Sequence, residues 1–301
     1  MLPTSHRVMP SLEIRASSLP TYETCPRMFG ANHLLESGLA NDMGLDLRRR
    51  RTHIGAAVGT ACHHGHDYLM NAYMTSGSHG GKERLKHAED VTLATLDNLI
   101  ADGIGYDSTT PTPGAATLST RRMVQMLFDQ HRPKAKPLLV EKGLKTKLNV
   151  KSLNGCGSPA SMTLKGTLDL YLISEELIDL KTGRWRPQAW AQMGAYSLIL
   201  RAHRTPVSRT RLVYLPRTHA AQKQSPCEDI PILQSVAEKH ASGLATNAFR
   251  SMDAMITTGD VEHLTANPNT PLCDDRFCPA FGTRFCKLGA LVHPERKGKV
   301  P

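Results

Sequence analysis

Two kinds of hydrophobic pattern divide this chain. Residues 17–35, "SSLPTYETCPRMFGANHLL", carry Ser and Thr cap signals and a proline beside Cys25, which predicts a short helical region. The second half of 53–74, "HIGAAVGTACHHGHDYLMNAYM", has helical spacing, and so do 83–101 and 118–131. Between them, 75–82 ("TSGSHGGK") and the Gly/Pro/Thr-rich run at 103–117 read as loops. From 136–150, "KPLLVEKGLKTKLNV", the pattern turns to strands. In 162–173, "MTLKGTLDLYLI", the two-residue repeat puts Leu164, Leu168, Leu170 and Leu172 on one face and Thr167, Asp169 and Tyr171 on the other. Ser174, Glu175 and Glu176 form a three-residue hairpin loop into "LIDLKT". A helix follows at 187–203, then a strand "RLVYLP" at 211–216 and a helix over 232–256. No internal repeat and no long linker divides the chain.

A length of 301 residues is enough for a large core, and the apolar content is that of a globular protein. No run is long enough to span a bilayer, and no signal-peptide apolar segment opens the chain, so no membrane partner is expected. Charge changes the picture. There are 37 Lys+Arg against 27 Asp+Glu, a net +10, and this favours a polyanionic partner, nucleic acid first. The run Arg48–Arg51 adds to it, either as a phosphate contact or as a solvated charge run. The seven cysteines suggest a reducing, cytoplasmic setting, and their odd number rules out a complete set of intrachain disulfides. Cys273, Cys278 and Cys286 crowd together in the tail as C-x4-C-x7-C, a metal-site pattern.

The strand "ELIDLKTG" puts Asp179 and Lys181 on one face and Ile178 and Leu180 on the other. With a loop over 174–176, Asp169 faces Lys181 and Tyr171 faces Asp179. Asp169 and Asp179 then become diagonal neighbours, roughly 7–8 Å apart at the backbone. Two carboxylates beside one lysine call for a cation, and a divalent metal such as Mg²⁺ is held in this way. The plainer alternative is a surface ion pair, which is common and weak.

Taken in order, Gly166-x-x-Asp169, Asp179-x-Lys181-Thr182-Gly183 and Gln192-x-x-x-Tyr196 resemble the core of the PD-(D/E)XK nuclease superfamily in its RecB-like form. The resemblance implies an α/β, restriction-endonuclease-like core with a central mixed β-sheet flanked by helices. One nuclease domain would span 1–301, with a mainly helical part at 17–131 and the catalytic sheet and helix at 137–217. A helix and a cysteine-cluster tail would occupy 232–301. By the same resemblance Asp169, Asp179, Lys181, Gln192 and Tyr196 are catalytic. His63, in "GTACHHGHD", would join Asp169 and Asp179 on Mg²⁺ or Mn²⁺, with Glu141 as the acidic residue ahead of the core strands. Arg184, Trp185 and Arg186, just past the glycine turn, are the DNA-binding candidates.

"SSLPTYETCPRMF" is similar to the opening of iron–sulfur members of the group, which implies a 4Fe–4S cluster on Cys25, Cys273, Cys278 and Cys286. A four-thiolate Zn²⁺ site is the rival, and unrelated reduced core cysteines the bland alternative. Cys62, Cys156 and Cys227 have no such neighbours in sequence. The implied activity is a metal-dependent deoxyribonuclease, an exonuclease of recombination, repair or CRISPR adaptation in a bacterial, archaeal or phage-infected cell. Its substrate would be single-stranded DNA or DNA with single-stranded ends, and a recombination or CRISPR adaptation protein a possible partner. A catalytically inactive DNA-binding scaffold of the same fold, or a metal-binding protein of other function, are the competing readings.

Overall fold

The computed structural model describes residues 12–49, 51–150, 160–183, 189–218 and 228–296. Arg184, Trp185, Arg186, Cys156 and Cys227 lie outside these. The chain opens with β1 (Glu13–Arg15), α1 (Leu19–Thr24), α2 (Pro26–Glu36) and α3 (Leu39–Asp42). A short strand β2 (Thr52–His53) leads into α4 (Ile54–Ser76) and α5 (Lys82–Ala101). After β3 (Ile104–Gly105) come α6 (Pro113–Gln130), β4 (Pro137–Val150), β5 (Ala160–Leu172) and β6 (Glu176–Thr182). Helix α7 (Ala189–Ala202), β7 (Arg209–Leu215), β8 (Glu228–Ile232), α8 (Gln234–Thr258) and α9 (Leu288–Val292) complete the order. Among the described residues no helix is long and apolar enough to cross a membrane.

Strand β5 is the hub. It pairs antiparallel with β4 along one edge, and on the other it lies parallel to β1 at Thr163–Lys165 and antiparallel to β6 at Leu170 and Tyr171. Strand β6 then runs parallel to β7 along its whole length, and β8 closes that side antiparallel. A parallel pair needs cover on both faces, and it has it. Leu212 and Tyr214 of β7 pack into a core with α1, α2, α7 and α8, while Val213 and Leu215 pack into a second core with α4, α5 and α6.

The departures from sequence expectation are local. Helix α6 begins at Pro113, inside the stretch expected to be loop, because the Thr112 hydroxyl caps it by accepting the Ala115 N–H at 3.1 Å. Strand β1 is three residues long and leaves no periodic trace. Strand β8 contains Pro231, which an edge strand tolerates but which hides it in the sequence. The hairpin turns one residue earlier than expected, over Ile173–Glu175, with Glu175 at φ 62°. Tyr171 therefore stands opposite Leu177 rather than Asp179, and Asp169 is carried away from Lys181 toward Asp179. The leucines of β5 do not share one core either. Leu164 and Leu168 pack with α7 and α8, whereas Leu170 and Leu172 pack with α4 and α6. The change falls at Asp169, across from which β4 is distorted: Glu141, between Val140 and Lys142, sits at φ 43°.

Candidate functional site

Five elements bring polar side chains to the place where β5 and β6 separate. The ladder between them ends at Leu170 and Ile178. Beyond it, Asp169 Oδ2 accepts the Leu180 N–H at 2.7 Å, so a carboxylate replaces the partner strand. The other oxygen, Oδ1, lies 3.4 Å from Nδ1 of His63 on α4. Glu141 Oε1, on the distorted turn of β4, lies 3.1 Å from the same nitrogen. Ligand atoms of His63, Glu141 and Asp169 all fall within 4.8 Å of one another, a nitrogen–oxygen set suited to a hard divalent cation.

Asp179 faces a different set of partners. It is fully buried, with Oδ2 2.7 Å from Lys181 Nζ and Oδ1 accepting Gln192 Nε2–H at 3.1 Å. Lys181 Nζ also donates to Gln192 Oε1 at 3.0 Å, and Gln192 Nε2 donates to Tyr196 Oη at 2.7 Å. Gln192 and Tyr196 are one turn apart on α7, which puts both on the sheet-facing side. Asp179, Lys181, Gln192 and Tyr196 thus form one hydrogen-bonded chain, and Asp169, His63 and Glu141 form a second group beside it. Glycines make the approach possible. A Cβ on Gly166 would lie 2.5 Å from Tyr196 Cε1, and one on Gly59 would lie 3.0 Å from Thr182 Oγ1, so α7 and α4 both settle onto the strands here.

Negative charge is in excess. Burial, with Asp169 close by, pushes Asp179 up to about 6 against the pull of Lys181. Burial likewise raises Asp169. Burial would lower His63, but Asp169, Glu141 and Asp179 outweigh it and hold the imidazole up to about 9. Lys181 is raised too, because Asp179 and Asp169 outweigh its desolvation. A cation between Glu141 and Asp169 would relieve this repulsion and take the place of the His63 proton. His64 is exposed and His66 is buried in α4, away from the carboxylates' hydrogen bonds.

The four cysteines at the two ends of the chain also meet. Cys25, extended at φ −159° between α1 and α2, lines one cavity with Cys273, Cys278 and Cys286. All four are buried. The Asn267 N–H points at Cys25 Sγ at 3.5 Å, and a Cβ on Gly289 would come within 2.6 Å of Cys273 Sγ. Burial first, and then the neighbouring thiols, push Cys273 up to about 11 and Cys278 up to about 12. Arg27 lines the same cavity and ties the ends together, donating to Phe285 O at 2.7 Å and pairing with Glu262 at 3.0 Å. Cys62, by contrast, is an ordinary core residue of the α4–α6 layer. Arg48 pairs with Asp275 at 3.3 Å, so one arginine of the basic run serves the fold, and Trp190 packs partly buried against the α7–α8 core.

This arrangement of strands and polar groups is that of a restriction-endonuclease-like fold. The chain belongs to the PD-(D/E)XK nuclease superfamily, whose family model matches residues 14–282. No curated protein sequence matches it significantly. Among solved structures, it is similar to a candidate exonuclease from Eubacterium rectale, with 12% identity, TM-score 0.49, and 87% of this chain and 86% of that one covered. It is also similar to SSO0001, with 13% identity, TM-score 0.32, and coverage of 79% and 77%. LHK-Exo in complex with dAMP shares 12% identity at TM-score 0.29, covering 65% of this chain and 92% of that one. These likenesses are too distant to define an activity.

Proposed function

We propose that this protein is a Mg²⁺- or Mn²⁺-dependent deoxyribonuclease that acts as an exonuclease on single-stranded DNA or on single-stranded ends, in recombination, repair or CRISPR adaptation. The observation that carries the reading is the meeting of two groups, His63–Glu141–Asp169 and Asp179–Lys181–Gln192, built at the strand ends from five separate elements. His63, Glu141 and Asp169 would hold the metal; Asp179, expected as a ligand beside His63 and Asp169, is engaged by Lys181 and Gln192. When bound, the metal would supply Lewis-acid stabilisation of the phosphate and activation of a water. Asp179 acts mainly on Lys181, fixing its ammonium at 2.7 Å, while Gln192 limits its rotation from the other side. Lys181 is a quarter exposed and its charge is favoured, so it serves as a cation that orients the attacking water and offsets charge on the phosphate.

The net charge of +10 supports DNA binding. For the cysteine cavity we propose a 4Fe–4S cluster on Cys25, Cys273, Cys278 and Cys286. The C-terminal thiols are spaced C-x4-C-x7-C, wider than the tight pairs that structural zinc more often uses. The test of activity is digestion of 5′- and 3′-end-labelled single- and double-stranded DNA, with Mg²⁺, with Mn²⁺ and with chelator. Stepwise shortening of single strands only with metal is expected. Full-length DNA under every condition removes the enzyme reading and leaves the DNA-binding scaffold.

A further inference from the structure

Arg217, just beyond β7, was not singled out by any sequence motif, yet it is set into the end of the same site. Its guanidinium lies between two glycines. A Cβ on Gly55, in the first turn of α4, would sit 2.8 Å from Nη1 and 3.2 Å from Cζ. A Cβ on Gly183, two residues after Lys181 and at φ 110°, would sit 3.7 Å from Nε. Gly183 is held there by its N–H to Leu215 O at 2.8 Å. Eight residues along α4 from Gly55, roughly 12 Å, lies His63. The slot therefore lies past the end of β6, two residues beyond Lys181.

The guanidinium is incompletely used. Of the five N–H donors an arginine offers, only Nη1 is engaged among the described residues, with Asp107 Oδ2 at 3.3 Å. The Arg217 side chain is 18% exposed, so the remaining donors have access to solvent. As a strut the pair is redundant. The chain at Arg217 is already tied to α6 by Ser119 Oγ donating to Arg217 O at 2.6 Å, and Asp107 is fixed by the Thr110 N–H at 2.6 Å and His53 Nε2 at 3.6 Å. A planar cation with donors unused among the described residues, cleared by glycine on two sides and oriented by one carboxylate, is the chemistry that grips a phosphate.

Resting on the deoxyribonuclease reading, we propose that Arg217 positions the substrate strand: held by Asp107 between Gly55 and Gly183, it binds a phosphate flanking the scissile one and sets the register of the strand against Lys181.

The experiment uses the full chain with Arg217→Gln, Arg217→Lys and Asp107→Asn. Affinity for single-stranded DNA is measured in chelator across a salt series, and KM and kcat are measured with Mg²⁺ or Mn²⁺. Arg217→Gln should raise KM about tenfold with kcat changed less than about twofold, and flatten the salt slope by about 0.7, one phosphate's worth. Arg217→Lys should restore the slope and part of the affinity, since it keeps charge but not the fork. Asp107→Asn keeps the Arg217 charge but not the carboxylate that orients it, so it should raise KM less than Arg217→Gln does and leave thermal stability and the salt slope near those of wild type. A methylphosphonate at one flanking position should weaken binding by the wild type and have no effect on Arg217→Gln. The inference is overturned if Arg217→Gln loses stability with its salt slope unchanged, or if every methylphosphonate affects both proteins equally. Wild-type protein that neither binds nor cuts single strands overturns the nuclease reading itself. Wild type that cuts while Arg217→Gln matches it overturns this inference alone.

Discussion

Asp169 binds the Leu180 N–H through Oδ2 at 2.7 Å, just past the last ladder pair joining their strands. One carboxylate thus closes the gap between β5 and β6 with one oxygen and faces His63 with the other. The two jobs are separable. Asp169→Asn keeps an acceptor for the amide and loses the charge. In chelator it should unfold at the same or a higher denaturant concentration than wild type, because a buried charge has been removed. It should also lose the stabilisation that metal gives wild type, about 2.7 kcal/mol at a hundredfold excess over Kd, and lose cleavage. Asp169→Ala leaves a buried N–H unpaired and should cost about 1–3 kcal/mol. Denaturant titrations with and without Mn²⁺ separate the two.

Lys181→Ala should abolish cleavage while most DNA affinity remains, since the lysine is one cation among many on a chain of net +10. Its loss leaves Asp179 buried with only Gln192 as a partner, which should push that carboxylate further toward its neutral form. Gln192→Ala should be milder, lowering kcat by loosening Lys181 without removing its charge. Single-turnover kinetics beside equilibrium binding check both, and full cleavage by Lys181→Ala would move the site elsewhere.

The motif residues were legible in sequence because their spacing survives folding: Asp179 and Lys181 alternate on a strand, and Gln192 and Tyr196 share a helix face. Their pairing was not legible. A shift of one residue in the hairpin loop, set by Glu175 taking a left-handed conformation, moved Asp169 from Lys181 toward Asp179. Glu141 could be named but not placed, because its approach to His63 depends on a local distortion of β4. Arg217 carried no signal at all, since its slot is made by Gly55 and Gly183, which are distant in sequence and gain meaning only together.

Helix α7 owes its position to a close crossing. A Cβ on Gly194 would lie 1.9 Å from the backbone oxygen of Ala237 on α8, and a backbone atom cannot swing aside. Gly194→Ala should therefore part the helices, costing about 1–3 kcal/mol or more. Gly166→Ala meets the Tyr196 ring at 2.5 Å and Ala16 Cβ at 3.1 Å but no backbone atom, so it should lose less stability and more kcat, by tilting the Tyr196–Gln192–Lys181 chain. Urea unfolding beside kinetics would show the two orders reversed if this account is wrong.

His66 gives a pH dependence with a defined sign. It is buried in α4, and burial, followed by the charges of His63 and His131, pushes it down to about 3. An unfolded histidine titrates near 6.5. Below that pH the unfolded chain takes up a proton that the folded chain refuses until about 3, so stability falls across this window and is unaffected above it. One such group contributes a slope of about 1.4 kcal/mol per pH unit. His66→Gln should lower the acid slope of the unfolding free energy between pH 6 and 4 by about that amount. An unchanged slope would mean that His66 is not held neutral.

The cysteine cavity joins the first helices to the last, and its loss should be felt at a distance. Cys25 lies between α1 and α2, while Cys273, Cys278 and Cys286 come from the tail, so a shared metal centre closes almost the whole chain into one loop. The cost of closing a loop grows slowly with its length, so such a staple constrains the unfolded chain strongly. Thiols at about 11 and 12 must give up protons to bind metal, and without metal they stay neutral and crowded. Strands β5 and β6 lie between the joined ends. Cys25→Ala should therefore lower solubility and cleavage together without touching a residue of the metal-dependent site. Anaerobically purified wild type should be brown, with iron and sulfide at roughly four each per chain. One zinc per chain in colourless protein would support the tetrahedral rival. A metal-free protein whose Cys25→Ala variant is fully soluble and active would leave the cavity as packing.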